Sequence, residues 1–328
     1  MPSENADVSV VVTVKNDPRV IECAEQVLAQ RTSFRFDLVV VDNGSTDETA
    51  PRLSIRFDGD RRVTLLSSGG NLSESWNHGA KAASGRVLVR IDADAIPLPG
   101  WLEALAAPLL LGEADWTAGP VGGVSPKSSL VARYYHERTE AYSRRLERDP
   151  ELRDAVPSWN VAYRRDTLEA GGWYDPWQAS SVDWDLHKRL KLTGSRGKFV
   201  SAARVIHHHP ETFSEFAKKE AWYRTGQYQM ALKYGVRVMS VAFLLPLGYG
   251  LLIVFAVFSF VWRPLAWLTL LLFLGLITKH WFEGIREGDP LWAYRALFRP
   301  IEGLAGLYGL LRGVARYGVR RRRPSMTR

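Results

Sequence analysis

The chain has 328 residues, 46% of them apolar, one cysteine and a formal net charge of +8. That length holds one large domain or two smaller ones, and a lone cysteine excludes an internal disulfide and a cysteine-based metal site. Residues 279–328 carry eleven Lys/Arg against four Asp/Glu, nearly the whole excess, so the basic residues do not interleave with stacking aromatics as in a nucleic-acid binder, and no nucleic-acid partner is expected.

The opening MPSENADVSV lacks the basic and apolar stretches of a secretory leader, and none is expected. Residues 8–14 are a continuous β-branched run, the pattern of a strand buried on both faces. A helix is expected over 18–30, started by Pro18, then a second strand over 36–42 and a short third over 63–66. Residues 73–83 have helical spacing, 87–92 read as a fourth strand, 99–109 as a helix and 116–120 as a fifth strand. This alternation predicts an α/β fold, a mostly parallel sheet with helices on both faces. Ligands bind such sheets at the carboxyl ends of the strands. Three of those ends are polar: Lys15-Asn16-Asp17, Asp42-Asn43-Gly44-Ser45 and Asp92-Ala93-Asp94.

Further on, 129–148 read as a helix with a charged face, 158–177 as a loop-rich segment opening on a short strand or turn, and 181–192 as a helix. A last strand over 199–207 ends in His207-His208-His209. Residues 212–234 form a long helix rich in Phe, Trp, Tyr and Lys, expected to lie in a membrane interface. Residues 238–278 then hold 41 positions with one charge, Arg263. A spanning helix needs about 20 apolar residues, so two spans are expected, turning at Trp262-Arg263-Pro264. Residues 301–319 resemble a second interface helix. Lys233 and Arg237 precede the apolar pair, and Lys279, Arg286 and Arg320 to Arg323 follow it, which places both ends in the cytoplasm and draws the tail to anionic membrane lipids. The expected division is a catalytic domain (1–210), an interface helix (211–237), two transmembrane helices (238–280) and a basic amphipathic tail (281–328). The expected location is the cell membrane, multi-pass, with the catalytic domain cytoplasmic.

Asp92 and Asp94 close an apolar strand. In an extended D-x-D both carboxylates point to one side, where they repel unless a cation joins them. Oxygen ligands suit Mg²⁺ or Mn²⁺, which complete their shell with substrate phosphates. In DNGSTDET (42–49), Gly44 lets backbone approach a ligand, Asp42 can accept from a base or ribose, and Ser45 or Thr46 can cap the next helix. In SVDWDLHKRL (181–190), Ser181 can cap the helix. Asp183 and Asp185 diverge by about 200° around it, so only one faces a given site.

The series DNGSTDET, GNLSESWNHGA, IDADAIPLPGW, WNVAYRRDTLEAGGWYDP and VDWDLHKRL, in that order, resembles the inverting family 2 glycosyltransferases of the GT-A fold over roughly residues 8–210. The resemblance implies nucleotide-sugar binding by Thr13, Asn16, Asp17, Asp42, Ser45, Asn77, Asp92 and Asn160, with Asp92 on the sugar or ribose. It implies a metal, Mn²⁺ or Mg²⁺, on Asp94, with His208 the expected histidine partner. It makes Asp183 the general base, although Val182 stands where the family usually has Glu, and Trp184 an acceptor wall. One carboxylate that deprotonates an attacking hydroxyl is what inversion requires. The interface helix lacks the Q-x-x-R-W of processive synthases, which implies addition of a single sugar. The apolar pair resembles a reduced cellulose-synthase-like arrangement and implies a lipid-linked (polyprenyl or dolichyl) acceptor. The expected donor is a nucleotide diphosphate hexose, with GDP-mannose the first guess and UDP-glucose not separated from it. Two alternatives stand: a polyprenyl-phosphate sugar synthase, whose anionic acceptor needs no base, and a non-catalytic sugar-nucleotide binder, which leaves Asp92, Asp94 and Asp183 without a role.

Overall fold

The computed structural model describes residues 6–123, 129–148, 156, 158–238, 240–286, 288 and 290–320. Residues 321–323 of the expected basic run lie outside them. The chain divides into two units: one holds the residues up to Val124 together with Arg138–His209, and the other holds Ser125–Glu137 with Pro210–Pro324.

The first unit is built from strands β1 (Val8–Val14), β2 (Phe36–Asp42), β3 (Val63–Ser67), β4 (Val87–Ile91), β5 (Ala95–Pro97), β6 (Trp116–Ala118), β7 (Val121–Gly123), β8 (Asn160–Arg164), β9 (Gly197–Phe199) and β10 (Val205–His207). Its helices are α1 (Val20–Leu28), α2 (Thr49–Arg56), α3 (Leu72–Ala82), α4 (Trp101–Leu110), the later part of α5 (Leu130–Glu147), α6 (Arg165–Gly171) and α7 (Val182–Leu192). Seven strands form one sheet in the order β3-β2-β1-β4-β8-β6-β9. β8 runs antiparallel to both neighbours and the other pairs are parallel.

The β-branched runs of β1 and β2 are buried on both faces because helices cover both. Val10, Val12, Leu38 and Val40 pack with Val20 and Val27 of α1 and Leu102 and Leu105 of α4. The alternate residues Val11, Val39 and Val41 pack with Trp76 of α3, Leu168 of α6 and Leu186 of α7. The side-chain period of two thus divides each strand between two apolar layers. The connections reverse direction between β1 and β4, which opens a crevice at their carboxyl ends. A second sheet, β5-β10-β7, lies at this point of the chain: β10 pairs antiparallel with β5, placing His207 opposite Ala95.

The second unit holds the first turns of α5 with α8 (Phe213–Tyr234), α9 (Ser240–Phe258), α10 (Pro264–Arg286) and α11 (Arg295–Tyr317). Thr212 and Glu215 start α8 with a reciprocal capping box. α8 is not simply a surface helix: Phe216, Glu220, Thr225 and Gln229 are buried. Gly309 and Gly313 of α11 face Ala221 and Tyr228 of α8, while Gly303 and Gly306 face Tyr249 and Pro246 of α9. Glu302 is buried and accepts from Arg299 Nη1 at 2.7 Å and Tyr134 Oη at 3.3 Å. The apolar stretch breaks into two helices around Trp262-Arg263-Pro264 as expected. Among the described residues α10 is the helix long and apolar enough to cross a membrane, with a mean hydropathy of 1.5; the described part of α9, Ala242–Phe258, is shorter.

Candidate active site

β4 ends at Ile91, and the chain turns at once: the Asp92 carbonyl accepts from Ala95 N–H at 3.1 Å. Asp92 and Asp94 therefore sit on a turn, not on the extended segment expected, yet their carboxylates still converge. His207 Nε2 lies 3.3 Å from Asp92 Oδ2 and 3.3 Å from Asp94 Oδ1. The three ligand atoms lie within 4.8 Å of one another. His207 Nδ1 donates to the His208 carbonyl at 2.7 Å, and the ring is set edge-on to Trp159 at 5.2 Å. That bond puts a proton on Nδ1 and leaves Nε2 to face the two carboxylates, where it can ligate a cation. Three acceptors facing one another need a shared cation, so this donor set fits a divalent metal.

The histidine here is His207, a correction to His208. β10 alternates, with Val205, His207 and His209 turned inward and His208 outward; what His208 brings to the turn is its backbone N–H, 3.2 Å from the Asp94 carbonyl. Arg19 Nη2 stands 3.7 Å from Asp94 Oδ2 while bonding Asp17 at 2.6 Å. Cys23 lies beneath the turn, its Sγ 3.5 Å from the Asp92 carbonyl. Burial, then the charges of Asp94 and Asp92, push its thiol up, away from thiolate chemistry.

The ends of β1 and β2 are clasped together. Asn16, with φ of 52°, donates its N–H to Ser45 Oγ at 2.9 Å, and its Oδ1 accepts from Thr46 N–H at 2.7 Å. Asp42 accepts from Ser45 N–H at 3.2 Å. Thr13, Asp17, Asp42 and Ser45 remain partly accessible at this rim. The cap expected of Ser45 or Thr46 is not made: Glu48 is the N-cap of α2 and makes no side-chain bond there, while Asp47, one residue earlier, accepts from Thr49 N–H at 2.9 Å. Two expected ligands are structural. Asn77 is buried, with Nδ2 donating to the Tyr174 carbonyl at 2.8 Å and Oδ1 accepting from Tyr174 N–H at 3.2 Å. Asn160 is buried, with Nδ2 donating to the carbonyls of Pro120 and Ala203 and Oδ1 accepting from Trp101 Nε1 at 2.8 Å. Asn160's amide is spent within the fold and Asn77's is tied to the Tyr174 backbone, which departs from the nucleotide-sugar role expected of them.

α7 presents the third carboxylate. Ser181 precedes it at φ of 57° and makes no side-chain cap, contrary to expectation. Asp183 Oδ2 accepts from Ser158 N–H at 2.9 Å and Oδ1 from Trp184 N–H at 2.9 Å. Burial pushes the Asp183 carboxyl above the usual range, against the pull of those two N–H groups and of Arg90. Asp185, two residues on, is fully buried and paired with Arg189 at 2.8 Å. Trp184 is exposed beside Asp183. Behind the helix, His187 Nδ1 accepts from Val156 N–H at 3.3 Å, and Nε2 meets Tyr163 Oη at 2.8 Å. Tyr163 Oη lies 3.1 Å from Tyr174 Oη. Burial holds His187 down to about 3, so this network is neutral.

Sequence reasoning passed over Arg90. It is buried in the middle of β4, whose five residues are all buried. A charge inside an otherwise apolar buried strand was the available signal.

Residues 9–172, half of the chain, match the sequence profile described as glycosyl transferase family 2. The chain belongs to that family. It is a glycosyltransferase, and membership implies a nucleotide-sugar donor and a glycan acceptor. Among similar proteins, glycosyltransferase AglE of Haloferax volcanii is 26% identical over 229 residues, 68% of this chain and 73% of that one. The pre-mycofactocin glycosyltransferase of Mycobacterium tuberculosis is 27% identical over 235 residues, 70% of this chain and 48% of that one. The solved structure of GalNAc-T7 with UDP, GalNAc and Mn²⁺ superposes with a TM-score of 0.50 at 14% identity, covering 67% of this glycosyltransferase and 50% of that chain. That likeness shows a GT-A-like fold. This glycosyltransferase thus spans half or less of the latter two relatives.

Proposed function

We propose that this family 2 glycosyltransferase is a metal-dependent inverting enzyme that moves a hexose from a nucleotide diphosphate sugar to a hydroxyl of a lipid-linked glycan at the cytoplasmic membrane face. The observation that carries the reading is the convergence of Asp92, Asp94 and His207 in the same unit as a carboxylate held ready on α7. Asp92, Asp94 and His207 would hold Mn²⁺ or Mg²⁺; the mix of one imidazole with two carboxylates favours Mn²⁺. Bound there, the ion supplies charge neutralisation for the departing diphosphate.

The chain's own residues do the rest. The rim formed by Thr13, Asn16, Asp17, Asp42 and Ser45 receives the base and ribose. Asp183, fixed through both carboxylate oxygens by Ser158 and Trp184 N–H groups, takes the proton from the attacking hydroxyl. Its raised pKa brings it nearer neutrality, where a general base works best. The exposed ring of Trp184 offers a flat apolar face to an acceptor sugar. The outward apolar side chains of α10 support a membrane site, in keeping with a lipid-borne acceptor.

The test is transfer by the purified full chain across GDP- and UDP-sugars, with Mn²⁺ or Mg²⁺, to polyprenyl phosphate and to a polyprenyl-linked disaccharide. Transfer to the linked sugar alone, lost in Asp183→Asn, supports the reading. Transfer to bare polyprenyl phosphate that survives in Asp183→Asn would make the acceptor a phosphate and Asp183 structural.

A further inference from the structure

We propose that His187 is a positioning residue for the transfer: by holding the Val156 N–H it keeps the Ser158 N–H, two residues on, aimed at the Asp183 carboxylate. This inference deepens the function proposed above and rests on its choice of Asp183 as the base.

The first observation is spacing. Asp183 and His187 are four residues apart on α7, about one turn, so their side chains stand one above the other. Asp183 Oδ2 accepts from Ser158 N–H at 2.9 Å, and His187 Nδ1 accepts from Val156 N–H at 3.3 Å. Two acceptors one turn apart thus take two N–H groups two residues apart. The chain entering β8 is held to α7 at two points, and only one of them is the base.

The second observation is that the ring has no freedom to turn away. His187 is 4% exposed and stacks on Trp116 of β6, with centroids 4.3 Å apart and planes inclined by 14°. A backbone N–H can only donate, so Nδ1 is the bare nitrogen, and the proton of the neutral ring stands on Nε2. Tyr163 Oη takes it at 2.8 Å and lies 3.1 Å from Tyr174 Oη. Tyr174 is tied in turn by its backbone to the Asn77 amide of α3. The tautomer that accepts at Nδ1 is therefore braced by a chain of hydrogen bonds running from α7 through β8 to α3.

The third observation is the chemistry of the position. Val182, Leu186 and Leu190 of the same helix pack into an apolar layer, and an apolar side chain at 187 would join it without burying a polar ring. It would also leave the Val156 N–H without this acceptor, and Ser158 held by Asp183 alone. A donor ordered only by the carboxylate moves with it. A donor fixed from elsewhere holds the carboxylate to one direction, and reaction rates are sensitive to such placement. The role thus follows the acceptor nitrogen and not the ring, which separates it from space-filling.

The experiment compares the full chain in detergent as wild type, His187→Phe and His187→Asn. Phe keeps a ring against Trp116 and removes the acceptor; Asn gives up the ring but places its Oδ1 where Nδ1 stood. The readings are kcat and donor KM and, separately, amide hydrogen exchange at Val156 and Ser158 without substrate. In His187→Phe both amides are expected to exchange at least ~10-fold faster, and kcat to fall ~10- to 100-fold with donor KM unchanged. His187→Asn should restore protection of both amides and bring kcat to within ~threefold of wild type. Fast exchange at Val156 with Ser158 still protected and kcat near wild type overturns the inference; so does an equal loss of kcat in both variants with both amides protected. If His187→Phe does not fold, His187→Asn decides by the same readings: a ~10-fold loss of kcat with both amides protected overturns it. Absence of transfer by the wild type would sink the functional reading instead, while amide exchange in the variants still tests the hold of His187 on Ser158.

Discussion

The backbone N–H of Ser158 donates to Asp183 Oδ2 at 2.9 Å, across 25 residues of sequence. With Trp184 N–H on the other oxygen, it fixes the carboxylate plane, so the direction from which the proposed base would take a proton is set before any acceptor arrives.

That carboxylate should report itself in the pH profile. Burial raises its pKa, and the base works only when ionised, so activity is lost as pH falls through the raised value. The acid midpoint of kcat/KM should therefore stand above the ordinary carboxylate value of about 4. A profile flat down to pH 4 would show that Asp183 is not the base. Asp183→Asn should lower kcat by roughly 10²- to 10⁴-fold with little change in donor KM.

The two neighbouring histidines should separate cleanly. His207→Ala removes a nitrogen that faces both aspartates, and Mn²⁺ affinity should fall by roughly 10- to 100-fold. His208→Ala removes an outward ring and leaves the backbone contacts, so affinity should stay within about twofold. Titration of the full chain with Mn²⁺ distinguishes them, and equal losses would refute the assignment.

Asn77→Ala and Asn160→Ala each leave buried backbone groups unpaired. Each should cost about 1–3 kcal/mol of stability, read by urea unfolding. Donor KM for the folded fraction should be unchanged. A large rise in KM at unchanged stability would return these residues to the nucleotide site.

Asp185 and Arg189 form a fully buried pair. Asp185→Asn breaks it and strands the guanidinium, an expected loss of about 3–5 kcal/mol. If the variant instead keeps its melting temperature and loses only catalysis, the base sits at Asp185.

The large elements were legible because their signals are strong. β1, β2 and β4 are predominantly apolar, β-branched-rich runs, and the helix carrying Asp183 begins within a residue or two of where its pattern says. The three-residue strands β5 and β7 were not, because so short a run has no period to read, and the single strand expected over 199–207 is two, β9 ending at Phe199 and β10 over Val205–His207. The choice of His208 came from the three adjacent rings, which sequence does not rank; the alternation of β10 selects the one that faces inward. Asn77 and Asn160 failed for another reason. An amide that binds a ligand and one that ties two loops together look identical in sequence, since the partners are backbone groups that carry no residue-type signature. Arg90 was visible as an anomaly, but nothing local says which carboxylates lie across from it.

His207 and Asp92 are 115 residues apart, and they meet because β10 lies antiparallel on β5 with His207 opposite Ala95. A slip of one residue in that short pairing would exchange the inward ring for its neighbour. During folding, a chain that has formed β1 to β5 already owns both aspartates but not His207. On the proposed metal reading, the capacity to hold a divalent ion arrives with β10, and tight Mn²⁺ binding would report that the second sheet has closed in register.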